Sequence, residues 1–299
     1  MRITFNEIRR NNVQTWFLIF LFFLLISLFG LAVGVYIGDV FLGLIITTLV
    51  GIIYTLVVFS TGDKMIMSIS GAKPVTKREY PYLYHTVEGL AVAAGLPTPK
   101  CYVINDSALN AFATGKKPES ASIAVTTGLL EKMNRQELEG VIAHEMSHIK
   151  NNDIRVMMLA AVLVGVILLL SQFLLRSFLW GGKGSSKREN NKGTIILILI
   201  GLALAILAPF ISELIKLSIS RKREYMADAS GAILTRYPAG LASALRKIAK
   251  DPDPLVDNAN KATAHLFIST PFRMKKNNKS SLFSTHPPID ERIKRLEEM

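Results

Sequence analysis

The sequence predicts a mainly α integral membrane protein with four transmembrane helices and a small α+β domain built on a short three-stranded sheet. Two observations carry this. Four uncharged apolar runs, 16–37, 40–60, 156–175 and 194–212, punctuate the chain. Each holds about 20 residues, the length that crosses a hydrocarbon core of ~30 Å. The segments between and after them carry ordinary charge, and in these short β-rich runs alternate with helical patterns.

Composition agrees. Half of the 299 residues are hydrophobic and only 19% are charged, less charge than a soluble domain carries. The first run is too long for the apolar core of a signal peptide, and no small-x-small site follows it. Cys101 is the sole cysteine, which excludes an internal disulfide and a cysteine-based zinc site. The net charge of +12 fits anionic lipid and topology signalling in a membrane protein. No zinc-finger spacing, Walker loop or basic stripe interleaved with aromatics is present, so nucleic acid is not an expected partner.

These signals divide the chain into four parts. Residues 1–60 form an N-terminal transmembrane hairpin turning at Gly38 and Asp39, and 61–155 a first soluble segment whose charges balance. Residues 156–212 form a second hairpin around a Gly-, Ser-, Asn- and Lys-rich loop, 176–193, and 213–299 a second, basic soluble segment. With the N-terminus in the cytoplasm, thirteen Lys and Arg flank the inner ends of the spans and five the outer loop. That places both soluble segments inside, in a multi-pass protein of the cell membrane. The five basic residues of the outer loop fit this arrangement least well.

Within the soluble parts, 79–94 predicts a helix ended by Gly95 and Pro97. Residues 100–104 and 121–126 predict strands, with 109–115 as a third between them. A helix follows over 135–150, where Asn134 and Glu137 are spaced as a capping box. Further helices are expected over 213–235, 238–250 and 289–298, the last primed by Pro287 and Pro288.

The chemistry is written into 135–150. His144-Glu145-Met146-Ser147-His148 is an HExxH sequence. Residues i and i+4 lie on one helix face, so both imidazoles can reach one ion. Glu145, rotated by about 100°, flanks the ion and can take a proton from the attacking water. Five histidines and fourteen glutamates make a chance HExxH a ~0.004 event, and the apolar neighbours Val141, Ile142 and Ala143 do not suit a surface helix. A catalytic zinc site needs a third protein ligand. His85, His265, His286 and the acids are candidates. Glu224 is favoured, because Asp228 lies at i+4 and could take the ring N–H of a zinc-bound histidine.

HExxH followed by ExxxD resembles the gluzincin pattern. The four runs, Asn110-Ala111-Phe112-Ala113-Thr114-Gly115, the stretch from Ser220 to Asp228, and Ser284-Thr285-His286-Pro287-Pro288 together resemble the HtpX-type membrane proteases, relatives of the CAAX prenyl proteases. The resemblance spans nearly the whole chain. It implies a zincin-like catalytic domain, one Zn2+ bound by His144, His148 and Glu224, and Glu145 as the base. It implies a zinc-dependent endopeptidase that cuts misfolded or damaged membrane proteins, with membrane-protein or peptide substrates and the bilayer as partners. The CAAX enzymes have more spans than the four read here, which argues against prenyl-protein processing. His286 and Arg292 are expected to steady the tetrahedral oxyanion, although Thr285 and Pro287 can equally be read as starting the last helix. Asn110, Ala111, Phe112 and Ala113 are expected to form an edge strand that pairs with substrate. A non-catalytic membrane scaffold or chaperone is the alternative, disfavoured by the intact Glu145. A metal transporter is disfavoured because no span carries His, Asp or Glu.

Overall fold

The computed structural model describes residues 2–163, 221–251, 263, 266–269 and 286–299. Two long apolar helices come first, α1 (Arg2–Ile37) and α2 (Val40–Ile69). They join at Gly38, φ +88°, and at Asp39, whose carboxylate caps α2 by accepting the Leu42 N–H at 3.0 Å. Small residues set the packing between them: a Cβ added at Gly43 would lie 2.3 Å from the Gly34 nitrogen. Arg9–Leu31 and Val40–Ile69 are each long and apolar enough to cross a membrane. Their outward side chains, among them Trp16, Phe17, Phe41 and Leu56, are 57–79% exposed, an apolar surface suited to lipid. The first two of the four expected spans are thus present as helices. The third is described only as far as residue 163. The fourth run, the 176–193 loop and residues 213–220 lie outside the described residues.

Past the apolar run, α2 continues to Ile69 and carries Ile66 and Met67 into the core beneath the sheet. Among the described residues, that sheet has four strands, not the expected three. They are β1 (Ala72–Pro74), β2 (Lys100–Ile104), β3 (Ala111–Thr114) and β4 (Ser122–Thr126), in the order β1-β2-β4-β3. β1 is three residues ending in proline, with no alternation to mark it, and exists by pairing antiparallel to β2. β2 runs parallel to β4, and β3 antiparallel to β4 at an edge of the sheet.

The helices of the soluble part are α3 (Pro81–Ala94), α4 (Thr127–Lys132), α5 (Arg135–Lys150), α6 (153–163), α7 (Arg221–Thr235), α8 (Pro238–Ala249) and α9 (Ile289–Glu297). Both faces of the sheet are covered. Val103, Ile123 and Val125 join α3, α5 and α8 residues such as Val87, Leu138, Ile142 and Leu245 in one apolar cluster. Ile104, Phe112 and Ala124 face the other way, toward Ile66, Val156 and Leu159. The sheet therefore lies between the site-bearing helices and the extension of the membrane helices.

Candidate metal centre

The site is built on α5. Its capping box is complete: the Asn134 side chain accepts the Glu137 N–H at 3.0 Å, and the Glu137 carboxylate accepts the Asn134 N–H at 2.8 Å. Glu137 is also held by Ser243 and Lys247 of α8. From Leu138 onward α5 is buried almost all round, so His144, Glu145 and His148 are each no more than 3% exposed. α7 crosses α5 closely because Gly231 has no side chain; a Cβ there would sit 3.0 Å from the His144 nitrogen. That approach brings Glu224 and Asp228 to the histidines.

The donor atoms converge. His144 Nε2 lies 3.2 Å from His148 Nε2, 3.9 Å from Glu224 Oε2, and His148 Nε2 lies 3.6 Å from Glu224 Oε1. Ligands at ~2.0–2.1 Å from a tetrahedral ion sit roughly 3.3 Å apart, so the trio fits a metal ion. The opposite ring nitrogens are fixed by carboxylates. His144 Nδ1 donates to Asp228 at 2.9 Å, and His148 Nδ1 to Asp153 at 2.9 Å. An ionised carboxylate only accepts, so each ring holds a proton on Nδ1 and turns its Nε2 toward the point of convergence.

Charge follows the same geometry. Burial opposes the charge on Glu224, yet His286, His148 and Arg292 more than offset it and hold its carboxyl well below the usual range. Burial also opposes ionisation of Asp228, but Arg292 and His144 bring it down to about 2. Burial lowers His144. For His148 burial acts in the same sense but is outweighed by Asp153 and Glu224, which raise it to about 9. Glu145 stands apart. Neither of its carboxylate oxygens has a hydrogen-bond partner among the described residues. Burial lifts it to about 7, while the Ala113 N–H faces it without closing a bond. An isolated, buried carboxyl beside three convergent donors is poised to exchange a proton.

The model of peptidase family M48 matches residues 77–299. The chain belongs to peptidase family M48. It is 49% identical to a protease HtpX homolog of Dictyoglomus turgidum, over 99% of this chain and 95% of that one. A protease HtpX homolog of Thermoanaerobacter pseudethanolicus is 46% identical over 100% and 99% of the two chains. In fold it matches the crystal structure of S. mikatae Ste24p, with a TM-score of 0.53 and 23% identity over 91% of this chain. It spans 62% of the length of that chain. The protein is thus a membrane metalloprotease, as the motifs and apolar runs led us to expect.

Other expected residues of this M48 peptidase gather around the same centre. His286 Nδ1 bonds Glu224 Oε2 at 2.8 Å. Arg292, 1% exposed, donates from Nε and Nη2 to Asp228 and from Nη1 to the Ile268 carbonyl at 2.9 Å. Of Asn110, Ala111, Phe112 and Ala113, the last three lie in β3. The Thr126 N–H donates to the Asn110 carbonyl, so the alternating ladder turns the backbone groups of Ala111 and Ala113 away from β4. Ala111 is already engaged: its carbonyl accepts the Ile268 N–H at 2.9 Å, and the Asn110 side chain donates to the Ser269 carbonyl at 3.1 Å.

Two features escaped the sequence. Asp153, which holds His148, lies beyond the end of α5 where no i+4 spacing announces it. The contact of 266–269 with β3 spans more than 150 residues of chain.

Proposed function

We propose that this M48 peptidase is a zinc-dependent endopeptidase that hydrolyses peptide bonds in misfolded or damaged membrane proteins at the cytoplasmic face of the cell membrane. The observation that carries this reading is the convergence of His144 Nε2, His148 Nε2 and the Glu224 carboxylate beside the unpartnered Glu145. His144, His148 and Glu224 would hold one Zn2+ per chain, with Asp228 and Asp153 keeping the imidazoles in register. Zinc, when bound, supplies Lewis acidity to the scissile carbonyl and to the attacking water.

The remaining work falls to the protein. Glu145 accepts the proton of the attacking water on a carboxylate oxygen and returns it to the leaving amine nitrogen as the C–N bond breaks. Burial suits it to both steps, because a carboxyl near pH 7 gives and takes a proton with little bias. His286 orients Glu224 and would steady the carbonyl oxygen as it gains charge. Arg292 holds Asp228, and through it His144, and adds its positive charge to the same region. The Ala113 N–H and C=O face away from β4 and would pair with an extended substrate on that side, although Ala113 itself is buried. Main-chain pairing of that kind reads little of the side chains, which suits a protease acting on unfolded segments. The thirteen-to-five distribution of Lys and Arg supports the cytoplasmic orientation.

The test is casein cleavage by the purified full-length protein, with and without chelator, beside Glu145→Gln. Cleavage that needs both the metal and Glu145 is the expected result. Undiminished cleavage by Glu145→Gln would remove the base from the mechanism.

A further inference from the structure

Asn11 lies on α1, the first membrane helix, yet it is 1% exposed and touches the catalytic domain. Its Nδ2 donates to the Asn151 carbonyl at 2.9 Å and to Asp153 Oδ1 at 2.6 Å. Its Oδ1 accepts from Arg223 Nη1 at 2.6 Å. Each of these partners bears on the site. Asn151 caps the C-terminus of α5. Asp153 uses its other oxygen to hold His148 Nδ1. Arg223 precedes Glu224 on α7 and approaches Asp153 Oδ1 at 3.9 Å.

Only a side chain with two donors and one acceptor in this fork satisfies all three partners. Ala satisfies none, and Asp offers acceptors where two donors are needed. A carboxylate that orients a metal-bound histidine is itself held by a further hydrogen bond, and loosening such a support weakens metal affinity. Asp153 has its support from a residue 142 positions away, near the start of the apolar stretch Arg9–Leu31 of α1.

We propose that Asn11 is a positioning residue for the metal centre. It fixes Asp153 behind His148 and, through Arg223, the turn of α7 that carries Glu224. The placement of the first membrane helix and the metal affinity of the site are thereby coupled. This inference rests on the ligand set proposed above.

Zinc affinity of the full-length protein in detergent, measured by competition with a chelator, tests it. Asn11→Ala and Asn11→Asp should each weaken zinc binding by about tenfold or more. Leu18→Ala, which empties a buried apolar position on the same helix, should lower thermal stability and leave zinc affinity within about twofold. Asn11→Asp decides the matter if Asn11→Ala does not fold. Unchanged zinc affinity in the folded Asn11 variants, or an equal loss in Leu18→Ala, overturns the inference alone. Failure of the unmodified protein to bind zinc overturns the ligand set, and the inference with it.

Discussion

Arg292 grips Asp228 with two nitrogens, Nε to Oδ2 at 2.9 Å and Nη2 to Oδ1 at 2.7 Å, and Asp228 in turn holds His144. All three side chains are buried. Removing Arg292 would strand a buried carboxylate, a loss of about 3–5 kcal/mol. Arg292→Ala should therefore lower the Tm of the detergent-purified protein by roughly 10 °C. Arg292→Lys keeps the charge but cannot fork, and should fall between the two in both Tm and kcat. A Tm for Arg292→Ala within a degree of the unmodified protein would contradict the pairing.

The ligand set gives a sharper contrast. His144→Ala, His148→Ala and Glu224→Ala should each abolish the single equivalent of zinc seen by metal analysis. Glu145→Gln should retain it and lose at least ~1,000-fold in kcat, since the base and not a ligand is removed. Full zinc in Glu224→Ala would move the third ligand elsewhere, with His286, 2.8 Å from Glu224, the nearest replacement.

Glu145 also predicts pH behaviour. Its folded pKa, raised by burial to about 7, exceeds the ordinary 4.5, so the folded state binds this proton more tightly than the unfolded state does. Stability is therefore lost as pH rises through that window and does not return above it. Glu145→Gln should raise the Tm of zinc-free protein by several degrees at pH 8 and by nothing at pH 4, near the acid end of the window. In the zinc-loaded enzyme kcat/KM should fall on the acid side with a midpoint at or below 7, because a nearby cation favours the carboxylate. Equal Tm values at pH 8 would show that the buried carboxylate carries no cost.

The edge of the sheet supplies a paired test. The Ala113 N–H points away from β4, whereas the alternation turns that of Phe112 toward it. Ala113→Pro should keep the fold and its zinc yet raise KM or lower kcat for peptides. Phe112→Pro should lower the Tm instead by breaking the ladder. Unchanged kinetics in Ala113→Pro would exclude strand pairing with substrate there.

What could be read in advance follows from how local each signal is. The bounds of Arg135–Lys150 and Lys100–Ile104 come out as expected, because the capping box and the β-rich run are complete within a few residues. HExxH and ExxxD are helix-face patterns, so spacing pairs His144 with His148 and Glu224 with Asp228, while joining the two pairs at one centre rested on the need for a third ligand and on the family resemblance. β1 could not be read in advance, since Ala72–Pro74 has no strand character apart from its partner. Asp153 and Asn11 were equally hidden. Each is an ordinary polar residue until the chain brings it beside a partner, and no periodicity encodes a contact between positions 11 and 153. The Ala111–Ile268 pairing is of the same kind.

The order of the ligands along the chain has a consequence in time. His144 and His148 leave the ribosome first, Glu224 follows 76 residues after His148, and Arg292 a further 68 residues on. At about 5–20 residues per second, synthesis from His148 to Arg292 takes roughly 7–30 s. A nascent molecule has two histidines and a base throughout that interval but neither the third donor nor the guanidinium that orders Asp228. Its α5 can fold while remaining unable to cut. On the proposed ligand set and base, such a chain gains cleaving activity only once Glu224 and Arg292 are in place.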